Sequence, residues 1–231
     1  MAKISSALKK TILVDWLTAF PSLTGYSNNK LYKIVGPLII GLELIKLPFE
    51  EAYRPHFFVY SLWGNKAGKD IQACLSVPIL LLEFKNMKGR QYSIPYAEHS
   101  IFFDEVKESV RRQLPLPFDR DIPLNEIYAM IDRYSKMPPL SAAPDSYLQG
   151  SLQAAKLGIA LYVGELGASL ILEDITRRKW DAGHFKLWGL DIESWLQSLR
   201  AEVEHRADFL HQIAANKQDK KVRELKSSEI I

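Results

Sequence analysis

From Ser6 to Phe20 the apolar positions Leu8, Ile12, Trp16 and Phe20 return every four residues, with Leu13 and Leu17 beside them. A stripe of that period is one face of a helix, and it needs a surface to pack on. Pro21 and the polar run Ser22 to Asn29, with Gly25 inside it, predict a loop.

After Pro37 the pattern changes. Large apolar residues occupy both parities: Ile39, Ile40, Leu42, Leu44 and Ile45 in Pro37 to Leu47, then Phe57, Phe58, Val59, Tyr60 and Leu62 in His56 to Trp63. Successive side chains of a strand point to opposite faces, so this content predicts strands covered on both sides. Pro48 to Pro55 and Gly64 to Lys69 read as turns and Ile71 to Ser76 as a short strand. Pro78 to Glu83 reads as an apolar strand, and Gln91 to Tyr96 as an edge strand bounded by Pro95. Such short connections favour antiparallel or mixed pairing, because parallel crossovers need a dozen or more residues.

Helical spacing then takes over. It predicts helices over Phe102 to Gln113 and Leu124 to Tyr134, one starting at Asp145 with that carboxylate as N-cap, one over Leu166 to Ile175, and a long one from Asp191 to about Ile213. The fold class is therefore α+β: an N-terminal helix, a central antiparallel or mixed sheet of four to five strands, and a helical C-terminal half. The expected organisation is a sheet-containing lobe over 1–113, a proline-rich connecting segment with a short helix over 114–144, a helical lobe packed on the sheet over 145–215, and a charged tail over 216–231, frayed or ordered by a partner.

Composition narrows the function classes. With 231 residues, 47% of them hydrophobic, the chain is long enough for a substantial core without staples. Cys74 is the single cysteine, which excludes an intrachain disulfide and a four-cysteine metal centre. No apolar run reaches the roughly 20 residues of a membrane span, so the expectation is no membrane contact and a cytoplasmic location. The net charge of +3 is mild. Basic clusters at Arg111 and Arg112, Arg177 to Lys179, and Lys217 to Lys226 keep nucleic acid as a candidate partner.

One segment carries candidate chemistry. In LLLEFKNMK, Glu83 and Lys85 are two residues apart at a strand exit and share a face. An upstream acid, Asp70 first and Glu43, Glu50 or Glu51 otherwise, would complete a carboxylate pair for Mg²⁺ or Mn²⁺, with Lys85 orienting or deprotonating water. The segment resembles the second half of the catalytic signature in nucleases of the restriction-endonuclease-like fold. That resemblance implies Asp70 and Glu83 as metal ligands and Glu83, Lys85 and Asp70 as the catalytic set. A meeting of His56, Glu83 and Glu98 would instead suit a transition metal, and His205 with Asp208 form an i, i+3 pair.

Other signals point to structure. GNKAGKD has three residues between its glycines and Asp70 where a phosphate loop needs Ser or Thr. Cys74 lies in an apolar run, and Phe57, Tyr60, Trp63 and Tyr92 read as core rather than as a base-stacking platform. The leading expectation is a noncatalytic subunit or adaptor of an intracellular protein complex, complexes that act on nucleic acid included, binding a protein through its first and late helices and needing no cofactor. The metal-dependent nuclease is the alternative.

Overall fold

The computed structural model describes residues 5–63, 74–164 and 166–231. Helix α1 spans Ser6–Ala19, and the Ser5 side chain accepts a hydrogen bond from the Leu8 amide at its start. Five strands follow: β1 (Thr24–Ser27), β2 (Lys30–Val35), β3 (Leu38–Lys46), β4 (Ala52–Ser61) and β5 (Leu80–Glu83). They pair in chain order as an antiparallel path. Gly36, at φ 52°, and Pro37 make the two-residue hairpin between Val35 and Leu38, a place where glycine alone turns without strain.

Two further strands extend the sheet. β6 (Ile94–Pro95) pairs antiparallel with β4, and β7 (Ser227–Ser228) pairs parallel with β2. Helices α2 (His99–Gln113), α3 (Leu124–Ser135), α4 (Tyr147–Val163), α5 (Gly167–Arg177), α6 (Ala182–Leu187), α7 (Ile192–Glu204) and α8 (Arg206–Lys217) follow, with short 3-10 turns at Tyr96–Glu98 and Leu140–Ala142.

The two-parity apolar strands have two cores to fill. Leu31, Val35, Ile40, Leu42, Phe57 and Val59 pack against α1, α2, α3 and the Leu116–Ile122 linker. Tyr32, Ile34, Ile39, Phe58, Tyr60 and Leu62 pack against α5 to α8. Helix α4 serves both layers, with Leu152 and Ile159 in the first and Leu157 and Leu161 in the second. Central strands buried on both faces are what their near-continuous apolar sequence requires.

Several elements differ from the sequence reading. Thr24–Ser27 and Lys30–Val35 are strands, although the pattern gave a loop and then no element; Lys30 and Lys33, on opposite faces, obscure the alternation. β4 begins at Ala52 inside the expected turn. Only Ile94 and Pro95 of the expected edge strand pair as such. Ser146 caps α4, while Asp145 accepts from Arg178 Nε at 3.1 Å. The long late helix breaks at His205, whose φ of −106° and ψ of 41° leave the helical region. Residues 71–73 of the expected short strand lie outside the described residues. The final segment is ordered by the chain itself: Ile34 N–H donates to the Lys226 carbonyl at 2.9 Å, and Ile122 bridges to Ile230.

Candidate functional site

Register places a row of ionisable side chains across the sheet. Lys30 on β2 pairs with Glu43 on β3, Glu43 with His56 on β4, and His56 with Glu83 on β5. Paired residues project to one face, so the four stand side by side at the spacing of the strands. They share the second-core face with Tyr32, Phe58 and Tyr60.

Glu43 is buried, and one of its oxygens gathers three donors. Its Oε1 receives Lys30 Nζ at 3.1 Å, the Tyr60 hydroxyl at 2.7 Å and the Tyr32 hydroxyl. Burial raises both phenol pKa values far above the ordinary range and the adjacent carboxylate adds to it, so the phenols remain donors. A buried carboxylate with three donors is a structural hub.

His56 is less well served. Neither ring nitrogen has a hydrogen-bond partner among the described residues, and Nε2 lies 3.7 Å from Glu83 Oε1. Burial depresses its pKa, opposed by the Glu83 charge, so the ring is held toward the neutral form. Glu83 uses its other oxygen to accept from Gln91, which also receives Arg54.

Of the candidate catalytic set, Glu83 and Lys85 fall within the described residues. Glu83 and Lys85 are both exposed at the end of β5, and Lys85 forms a β-bridge with Gln91. Asp70 lies outside the described residues. Glu43 reaches the same row two strands away with three donors on its Oε1, Glu50 accepts from Ser93 at 2.7 Å, and the Glu51 carbonyl accepts from the Tyr96 amide. Among the described residues no three His, Cys, Asp or Glu side chains are grouped to hold a metal. His205 bonds the Ala201 carbonyl through Nδ1 at 3.0 Å, and Cys74 is buried.

A second feature was not legible in the sequence. β5 ends the sheet path and, among the described residues, pairs only with β4. Beside it runs a largely apolar groove of about 390 Å³ between residues 77–81 and α4, lined by Val77, Ile79, Leu81, Leu148, Leu152 and Trp188. Val77 is 73% exposed and Trp188 52%. Tyr147 steadies Trp188 at 5.4 Å between ring centroids. Trp188 follows α6, where no periodic pattern marks it, and only packing brings it to β5.

Several side chains of the basic clusters are engaged within the chain. Arg111 pairs with Glu108 and also reaches the Ala19 carbonyl, Arg177 pairs with Glu173, and Arg178 with Asp145. Lys217 and Lys221 lie over the rings of Tyr162 and Tyr26. No described helix is long and apolar enough to cross a membrane.

Fold and surface together define an α+β protein whose sheet is covered on both faces, with β5 at one end of the strand path and paired only with β4 among the described residues. No family model, no curated protein and no solved structure matches the chain.

Proposed function

We propose that this chain is a noncatalytic protein-binding subunit, and that its partner lays an extended apolar segment along β5 with side chains in the adjoining groove. The observation that carries this reading is the coincidence of a β5 edge unpaired among the described residues with exposed Val77 and Trp188. An exposed edge offers backbone donors and acceptors to an incoming strand, and neighbouring pockets then select its alternate side chains. Exposed apolar surface gathered in one concavity marks an interaction site, and tryptophan is over-represented among residues that dominate binding energy. Three arginines of the basic clusters already hold carboxylates, which leaves them less charge to offer a polyanion.

The test uses a tagged full-length chain in its native cells, with a photo-crosslinking residue at position 77 and substitutions Trp188→Asp and Leu148→Asp. The expected result is a discrete complex, crosslinks mapping to one extended segment of the partner, and loss of that complex in both variants with unchanged circular dichroism. Elution of the native chain as a free monomer would overturn the reading. So would Mg²⁺-dependent nucleic-acid cleavage that Glu83→Gln abolishes and Trp188→Asp leaves intact.

A further inference from the structure

Lys33 occupies a position that lysines seldom take. It lies on β2 between Leu31 and Val35, on the first-core face, and is 3% exposed. Its Nζ donates to the Phe118 carbonyl at 2.7 Å, and no carboxylate stands within ion-pair distance among the described residues. Asp121 and Asp119 still act on it through space. The residue lines an open polar depression of about 560 Å³ shared with Ser22, Asp119, Asp121, Lys226 and Ser228.

Distant stretches build this depression and are fastened to one another. Ile34 N–H bonds the Lys226 carbonyl at 2.9 Å, Glu229 N–H bonds Asp121 Oδ1 at 2.9 Å, and Ile122 N–H bonds the Glu229 carbonyl at 3.0 Å. Its other cations are committed elsewhere: Arg120 grips both oxygens of Glu126, at 2.9 and 2.8 Å, and Lys226 Nζ donates to the Pro21 carbonyl. What remains is Lys33, whose Nζ holds one carbonyl and no carboxylate, the exposed Asp119 carboxylate, and the Ser228 hydroxyl, which is buried without a hydrogen-bond partner among the described residues.

We propose that Lys33 captures a small polar aldehyde or ketone as an imine, with Asp119 shuttling the protons. Burial lowers the amine's pKa against the pull of both aspartates, so more of it is free base than on a surface lysine. A desolvated lysine lining a polar depression that also holds the Asp119 carboxylate offers the elements of nucleophilic amine chemistry. The Nζ lone pair attacks the carbonyl carbon, the C–O π pair moves to oxygen, and a proton passes from nitrogen to that oxygen through Asp119. The proton that the Lys33 ammonium gave to Asp119 on becoming the free amine then passes to the resulting hydroxyl, the C–O bond breaks as the C=N bond forms, water leaves, and the last nitrogen proton goes back to Asp119. The sum is amine plus carbonyl giving imine plus water, with no oxidant or reductant consumed. This site does not include the β5 groove and stands independently of it.

The experiment treats the full chain at neutral pH with sodium cyanoborohydride and either pyruvate or glycolaldehyde, then maps alkylated lysines by mass spectrometry over time. Lys33 is expected to be the first lysine modified, ahead of exposed Lys88 and Lys136. Lys33→Met should leave only the slow surface background. Asp119→Asn should slow Lys33 labelling by about 10²-fold, the contribution of a placed acid–base group. Wild-type labelling of Lys33 no sooner than of Lys88 and Lys136 would overturn the proposal without recourse to any variant. An Asp119→Asn chain that labels at the wild-type rate would overturn the role given to Asp119.

Discussion

The Tyr53 hydroxyl lies 2.7 Å from His99 Nδ1, between the sheet and α2. The Trp16 indole can only donate, and its Nε1 is 3.1 Å from the same hydroxyl, so Tyr53 accepts from Trp16 and gives its own proton to His99. That leaves the proton of neutral His99 on Nε2, which donates to Asp15 Oδ2 at 3.1 Å. The order resembles a catalytic relay, but Tyr53 is wholly buried and no substrate reaches it. Its role is to tie α1 to the sheet and to α2.

Tyr53→Phe is expected to leave the Trp16 N–H and His99 Nδ1 unpaired in the core. A cost of about 1–3 kcal/mol per orphaned group follows. Urea unfolding at unchanged slope should show the midpoint shift, and a wild-type midpoint would mean that the relay contributes nothing to stability.

Acid should destabilise this fold earlier than its carboxylates alone would. Burial lowers the pKa of both His99 and His56 below the ordinary imidazole value of 6.5. The unfolded chain therefore binds more protons than the folded one between the folded and unfolded pKa values. Stability is fully present above about pH 6.5 and falls as pH drops through that window. Thermal melts from pH 8 to 5 should show the fall beginning near pH 6.5, with a shallower slope in His56→Phe; an unchanged slope in that variant would remove His56 from the account.

Glu43→Ala should be among the costlier single changes in the sheet. It strands the hydroxyls of Tyr32 and Tyr60, a loss of about 2–4 kcal/mol, with Lys30 adding less because it is partly exposed. Glu43→Gln keeps an acceptor and should lose about half as much. Equal losses in denaturant titrations of the two variants would show that packing, and not the shared acceptor, sets the cost.

Two glycines should respond differently to alanine. A Cβ at Gly41 would stand 2.0 Å from the Leu31 carbonyl oxygen, so β2 and β3 must part at a cost of about 3 kcal/mol or more. Gly89 has open space but a φ of +71°, and its alanine variant should cost only about 1 kcal/mol. Comparable melting-temperature drops in Gly41→Ala and Gly89→Ala would contradict the close strand approach.

Much of the fold was legible because burial leaves a period. The stripe Leu8, Ile12, Trp16 announces α1, and the two-parity runs around Ile39 and Phe57 announce strands with a core on each face. Thr24–Ser27 was hidden because it alternates between half-buried and exposed positions, and so carries no strong apolar signal. The break at His205 was hidden because Leu196, Leu199, Phe209 and Ile213 keep a helical rhythm across it.

Site residues followed the same division. Glu83 and Lys85 were readable as a pair at a strand exit, since spacing alone puts them on one face. The company Glu83 keeps depends on strand register, which aligns it with His56 and Glu43, residues 27 and 40 positions earlier. Likewise, nothing near Lys33 in the chain foretells Phe118, Asp119 or Ser228.

By itself the sequence determined which segments had to hide apolar surface, and hence the helix, the doubly covered strands and the helical second half. Only the tertiary structure decided that Trp188 would stand beside β5, that Glu43 would gather two tyrosines and a lysine, and that the last residues would pair with β2. The physical reason is that periodicity records how each residue meets water, a local property, whereas a groove or a hydrogen-bonded cluster is made by residues whose separation along the chain leaves no mark in either segment.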